Sequence, residues 1–88
     1  MAFVIKENLT KVDKERNIVH NKVWATYTTF TSDGEKYAHI DTYESPNREL
    51  KDKISQSIQI DKEMAKESIE ILVDTFEILW LLYDLVIQ

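Results

Sequence analysis

The spacing of hydrophobic and polar residues changes near residue 45 and divides the chain into two parts. In the first part, β-branched and aromatic residues alternate with polar ones over 18–31 and 36–44, which is the spacing of β-strands. Between these segments lies Asp33-Gly34, a dipeptide that favours a two-residue turn with positive φ at both positions. The sequence therefore predicts an antiparallel β-hairpin.

A two-residue turn at Asp33-Gly34 sets the register of this hairpin. One face then carries Trp24, Thr26, Thr28, Phe30, Tyr37, His39, Asp41 and Tyr43. The other face carries Val23, Ala25, Tyr27, Thr29, Ala38, Ile40, Thr42 and Glu44. A shift of one residue would exchange the two faces, and the sequence leaves open which of them packs on a helix.

A third strand is expected before the hairpin, because a lone hairpin is marginally stable in water. Residues 2–12 are the candidate, since they include Phe3-Val4-Ile5. After the hairpin, Ser45-Pro46 suits the start of a helix, with serine as N-cap and proline in the first turn. We therefore predict a two- or three-stranded meander over 1–44 and a helical region over 45–88, together forming one α+β domain.

The helical region is expected to be either one long helix or two helices with a break near 58–61. No Gly or Pro occurs after Pro46. Leu50, Ile54 and Ile58 make a thin apolar stripe, and Asp61 could cap a new helix. The sequence leaves these two alternatives open.

The C-terminal helix carries more apolar surface than a small sheet can cover. Ala65, Ile69, Leu72, Phe76, Leu79, Tyr83 and Val86 alternate in steps of four and three, as in a heptad seam. Val73, Ile78 and Trp80 flank this seam, whereas a surface helix normally buries one stripe of roughly 100°. We therefore predict self-association, most simply as a homodimer, through Ile69, Leu72, Val73, Phe76, Ile78, Leu79, Trp80, Tyr83 and Val86. Two alternatives remain: residues 46–60 could fold back to cover the helix within a monomer, or a foreign partner could bind the apolar groove.

Charge and composition narrow the functional classes. The chain has 88 residues, no cysteine and a net charge of −5. The excess negative charge lies after residue 53, where there are two lysines and seven acidic residues. Disulfides and thiolate metal sites are excluded. Nucleic-acid binding through the C-terminal third is disfavoured, since phosphate contacts need positive charge. The start lacks signal-peptide features, and four acids within 69–87 argue against a membrane span, so a cytoplasmic location is expected.

Candidate recognition residues lie on the sheet and on the acidic side of the helix. The partner-binding candidates are Trp24, Phe30, Tyr37, His39, Asp41, Tyr43, Glu70, Asp74 and Glu77. His20, His39 and Asp41 share a strand parity, but their spacing does not converge on a metal ion. No nucleotide-binding, zinc-protease or nucleophile motif occurs, and we predict no cofactor, no metal and no catalytic residue.

These observations predict a non-enzymatic, acidic protein-interaction module that pairs with itself and with a protein of unknown identity. An inhibitor or adaptor of the kind encoded by phages and mobile elements would fit its size and acidity. One alternative is a dimeric nucleic-acid binder that presents the hairpin with Lys14, Arg16, Lys22 and Lys36. A second alternative is a small-ligand sensor with a pocket between sheet and helix.

Overall fold

The computed structural model describes residues 1–44 and 54–87, which form an α+β fold with one four-stranded sheet. The elements in chain order are β1 (Ala2–Val4), a 3-10 helix (Lys6–Asn8), β2 (Ala25–Ser32), β3 (Glu35–Tyr43), β4 (Ile54–Ile60), α1 (Lys62–Phe76) and α2 (Leu79–Ile87). The sheet is mixed, in the order β1-β4-β3-β2, with β1 parallel to β4 and the other pairs antiparallel.

The predicted hairpin and its register are confirmed. Asp33 and Gly34 have φ values of 50° and 81°, so both turn residues occupy the left-handed region. Phe30 pairs with Tyr37, and Thr28 pairs with His39. The first strand is shorter than predicted, because β2 starts at Ala25 rather than near residue 18.

The predicted strand count and order are wrong, because part of the predicted helical region is a strand. Residues 54–60 form β4, which pairs with both β3 and β1. Ile54 and Ile58 are four residues apart, a spacing that suits a helix, but Ile58 and Ile60 alternate with Gln59 as a strand requires. The proposed helix start at Ser45-Pro46, with Leu50, lies outside the described residues.

The third strand is present but covers only Ala2–Val4 of the predicted 2–12. It pairs with β4 and is separated from the hairpin strand β2 by the width of the sheet. Residues 9–23 have no regular secondary structure, and every one of them is exposed. The sheet is therefore a hairpin extended by β4 and then by a short parallel edge strand, rather than a meander.

Asp61 ends the sheet and starts the helical segment. Its side chain accepts a hydrogen bond from the Met64 backbone N–H at 2.9 Å, which is the N-cap predicted from the sequence. Neither predicted arrangement of the helical region, one long helix or two helices with a break near 58–61, is correct. The helix begins only at Lys62, after β4, and the interruption comes between Phe76 and Leu79. Glu77 adopts a left-handed φ of 54°, and the Ile78 N–H bonds to the Val73 carbonyl at 3.3 Å, as in a Schellman-type helix end.

The described residues bury little apolar surface. Met64 is the only apolar side chain among them that is buried, at 6% exposure, and none is fully buried. The chain exposes 8429 Å², whereas a folded protein of this mass exposes about 5,400 Å². Its radius of gyration is 15.5 Å, compared with about 12 Å expected for a domain of this length.

Candidate functional site: two exposed apolar surfaces and a polar sheet face

The first exposed surface, here the helical seam, consists of two groups of side chains: Ile69, Leu72 and Phe76 on α1, and Leu79, Trp80 and Tyr83 on α2. Because the helix is interrupted at Glu77, the predicted heptad spacing does not continue along one straight helix. Ile69 and Leu72 are each 48% exposed, and the other four are 62% to 68% exposed. Val73 and Ile78 are half-buried, and the side chain of Val86 lies outside the described part. The structure thus leaves most of the predicted self-association residues open to solvent.

The second exposed surface, here the apolar sheet face, is one side of the four-stranded sheet. Its register aligns two rows of residues across the strands: Ala2, Ile58, Ile40 and Tyr27, and then Val4, Ile60, Ala38 and Thr29. Tyr27 is 79% exposed, and Ile40 and Ile58 are each 47% exposed. Lys36, beside the turn, is the only charged residue that the described strands place on this face. A sheet face that stays in water usually carries polar residues, whereas these two rows are apolar except for Thr29.

The chain's own helix covers only one end of the apolar sheet face. A groove of about 750 Å³ lies there, lined by Thr29, Ala38 and Ile60 from the strands and by Asp61, Lys62 and Ala65 from the helix start. Among the described elements, the 3-10 helix Lys6–Asn8 is the one that α1 contacts most. The row that contains Tyr27 and Ile40 therefore stays open.

The opposite side of the sheet, here the polar sheet face, contains a hydrogen-bonded cluster. Nε2 of His39 lies 2.8 Å from Oδ1 of Asp41, and the hydroxyl of Ser57 donates to the same oxygen. Ser57 lies directly opposite Asp41 in the β3–β4 register and is 7% exposed. The hydrogen bond from Ser57 is the main cause that lowers the pKa of Asp41, and His39 lowers it further, while partial burial opposes the shift.

This cluster does not have the arrangement of a catalytic triad. In a Ser-His-Asp triad, histidine lies between the serine and the aspartate and removes the hydroxyl proton. Here Asp41 lies between Ser57 and His39, so the serine hydroxyl donates its hydrogen to the Asp41 carboxylate and not to the histidine. Within 1–44 and 54–87, no three His, Cys, Asp or Glu side chains lie close enough together to hold a metal ion.

Aromatic side chains surround the polar cluster on the same face. Tyr37 stacks on Phe30 with ring centroids 5.4 Å apart, and Phe3 meets Tyr37 edge-on at 5.8 Å. At the other end, the Tyr43 hydroxyl lies 3.1 Å from Oγ1 of Thr26, and the Tyr43 N–H bonds to the Trp24 carbonyl at 2.9 Å.

The structure brings together six of the predicted recognition residues on this face: Trp24, Phe30, Tyr37, His39, Asp41 and Tyr43. Sequence reasoning missed Phe3 and Ser57, because the pairing of β1 with β4 was not foreseen. The available signal was the alternation of Ile58, Gln59 and Ile60.

The acidic recognition candidates are separate from the sheet cluster. Glu70 and Asp74 are exposed on α1, and Glu77 ends that helix. Because Glu77 leaves the helical conformation, Glu70 and Asp74 on α1 and the exposed Asp84 on α2 belong to two separate helices. The acidic residues therefore do not follow one straight helix.

Comparison with protein-family models, with curated proteins and with solved structures gives no match. No helix in the described ranges is long and apolar enough to cross a membrane.

Proposed function

We propose that this protein is a non-enzymatic interaction module that pairs with itself through its C-terminal helices and presents its polar sheet face to another macromolecule. The observation that carries the proposal is the exposure of the helical seam. Six large apolar side chains, from Ile69 to Tyr83, lie open within a segment of fifteen residues. Exposed large apolar side chains that are concentrated in one segment mark interaction sites on proteins.

The energetic reason for pairing is the cost of leaving this seam in water. Complete burial of a large apolar side chain is worth roughly 1.5–3 kcal/mol. Trp80 and Tyr83 also have the amphipathic rings that are enriched at protein interfaces. A symmetric pair is the commonest soluble assembly and buries the same seam on both copies.

The polar sheet face is the surface proposed for the second partner. Its aromatic rings and its His39–Asp41–Ser57 cluster combine rigid contact area with fixed hydrogen-bonding groups, which is the chemistry of recognition surfaces. Glu70 and Asp74 lie apart from this face on α1, and we propose them as a separate contact for a basic partner. An inhibitor or adaptor that binds a host protein fits this arrangement.

Light scattering across a dilution series tests the self-association. The wild-type chain should have about twice its monomer mass of 10.4 kDa. Leu79→Glu/Trp80→Glu should lower the mass to that of the monomer, because a dimer would have to bury two charges in each copy. Circular dichroism on the same samples separates a dissociated chain from an unfolded one.

Glu70→Gln/Asp74→Asn is the matched control, because it changes two exposed positions of α1 that lie off the helical seam. This variant should keep the wild-type mass. A wild-type mass of 10.4 kDa at every concentration would overturn the proposal.

Nucleic-acid binding is the second candidate, and it is favoured by the aromatic cluster in which Tyr37 contacts both Phe3 and Phe30. Phe3 and Phe30 are 50% and 42% exposed, and exposed aromatic rings on a sheet can stack on single-stranded bases. The exposed segment 9–23 adds Lys11, Lys14, Arg16 and Lys22 as cations that could meet phosphates.

Fluorescence anisotropy of a labelled single-stranded oligonucleotide separates this candidate from the first. Salt-sensitive binding that is lost in Phe30→Ala/Tyr37→Ala, and kept in the control Phe76→Ala, would support a nucleic-acid partner. Absence of binding at low salt would leave a protein partner as the occupant of the polar sheet face.

A further inference from the structure

We infer that the apolar sheet face of one copy is covered by the helical seam of a second copy, so that the two chains pack reciprocally, helix on sheet. The inference rests on the proposed self-association and specifies its geometry. It assigns the apolar sheet face as a binding surface, and it names a second copy of this chain as the occupant.

The connection between the sheet and α1 is very short. Asp61 alone separates β4 from α1, and its side chain caps the helix by accepting the Met64 N–H. This short, capped connection fixes the direction of α1 relative to the sheet. The helix is directed to the 3-10 helix Lys6–Asn8, and the row that contains Tyr27 and Ile40 remains uncovered by its own chain.

The chain exposes more surface than a folded protein of its mass. The 8429 Å² that the chain exposes exceed the value expected for a folded protein of its mass by about 3,000 Å². Part of this excess belongs to residues 9–23, which are exposed throughout. Stable obligate dimers bury about 1,000–2,500 Å² on each copy. The surplus is therefore large enough to supply such an interface.

The helical seam and the apolar sheet face match each other in chemistry, because both are apolar. The helical seam contains no charged side chain, and the two apolar rows of the sheet contain none either. A pairing of helices alone would cover the helical seam but would leave Tyr27, Ile40 and Ile58 in water. Reciprocal packing of helix on sheet covers both surfaces of both copies in one symmetric arrangement.

The open part of the apolar sheet face also leaves room for a helix of the second copy. The groove at the turn end of the apolar sheet face is bounded by the first turn of α1, so the second copy's helical segment would lie beside α1 on the open part of the sheet. Its apolar side chains would then contact the row of Tyr27, Ile40 and Ile58. The polar sheet face, on the other side, would stay exposed for the partner.

Site-specific cross-linking tests the geometry, because the chain contains no cysteine. Ile40→Cys and Leu72→Cys would each be made in a separate chain, with one of them labelled with ¹⁵N, and the two would be refolded together. A short bismaleimide reagent should then join a labelled to an unlabelled chain between the two cysteines. Light scattering on each variant checks that it keeps the wild-type mass, and Tyr27→Cys with Ile69→Cys replaces the pair if it does not.

The matched control is Val19→Cys, at a fully exposed position of the connecting segment. Paired with Leu72→Cys, it should give at least fivefold less mixed product than Ile40→Cys does. Cross-linking of Leu72→Cys only to itself would overturn the inference and leave self-association in place, because the helices would then pair with each other. An intramolecular product in Ile40→Cys/Leu72→Cys, at monomer mass, would overturn both proposals.

Discussion

Ser57 on β4 donates its hydroxyl hydrogen to Oδ1 of Asp41, the residue directly opposite it on β3. The same oxygen also contacts Nε2 of His39 at 2.8 Å, so one carboxylate connects two strands and two polar side chains. Ser57 is buried at this position, and a buried hydroxyl without a partner would be costly. The polar sheet face is thus organised around a single carboxylate.

Replacement of Ser57 by alanine should raise the pKa of Asp41 toward its ordinary value, because the hydrogen bond from Ser57 is the main cause of the lowered pKa. A carbon-detected NMR titration of the Asp41 carboxyl group measures this directly. Ser55→Ala changes an exposed serine of the same strand and should leave the pKa of Asp41 unchanged. An unchanged pKa in Ser57→Ala would show that the hydrogen bond does not hold in solution.

The stability of the wild-type protein should also depend on pH through this group. Because the folded-state pKa of Asp41 lies below the unfolded-state value, the carboxylate stabilises the fold at pH values above about 4. This contribution is lost as the pH falls through the lowered pKa. Urea denaturation between pH 7 and pH 2.5 should show a smaller acid loss of stability in Asp41→Asn than in the wild type, and an equal loss would contradict the assignment.

Gly34 should resist substitution for a conformational reason alone. Its φ of 81° disfavours any L-residue, yet no heavy atom lies within 4 Å of the position that a Cβ would occupy. Gly34→Ala should therefore destabilise the protein by about 1–2 kcal/mol, measured by urea denaturation at one fixed protein concentration. Asp33→Asn is the control, since asparagine tolerates the left-handed region, and it should be neutral or slightly stabilising.

The hairpin was predictable because its signals are local. Asp33-Gly34 sets the turn, the turn sets the register, and the register places Phe30, Tyr37, His39 and Asp41 on one face. All of this follows from residues fewer than twenty positions apart. The face that packs on a helix was not predictable, because that choice depends on the rest of the fold.

β4 was missed because its pattern fits two structures. The spacing of Ile54 and Ile58 suits a helix, whereas Ile58, Gln59 and Ile60 suit a strand, and a short apolar run does not decide between them. Because β4 was predicted to be helical, Ser57 was not included in the predicted site. For the same reason, the pairing of β1 with β4, which brings Phe3 beside Tyr37, was not predicted. The break at Glu77 was also missed, because no glycine or proline marks it in the sequence.

The cap at Asp61 should contribute measurably to the stability of α1. Its side chain accepts the Met64 N–H, and loss of an N-cap side chain costs about 1 kcal/mol. Asp61→Ala should lower the free energy of unfolding by that amount, and Asp61→Asn should keep most of it, since asparagine is an equally good cap. Equal losses in the two variants would indicate that the charge of Asp61 matters rather than the hydrogen bond.

Glu77 offers a test in which the sign of the stability change reports on the end of α1. Because Glu77 occupies the left-handed region, Glu77→Gly removes the conflict with its Cβ and should stabilise the protein by about 1 kcal/mol. In a continuous helix, which the heptad spacing predicts, the same change would instead destabilise the protein by about 1 kcal/mol. Glu70→Gly, inside α1, is the control and should be destabilising in either case. Urea denaturation of the wild type and the two variants at one fixed protein concentration measures these changes. If Glu77→Gly is stabilised and Glu70→Gly is destabilised, α1 ends before Glu77, as the hydrogen bond from Ile78 N–H to the Val73 carbonyl indicates.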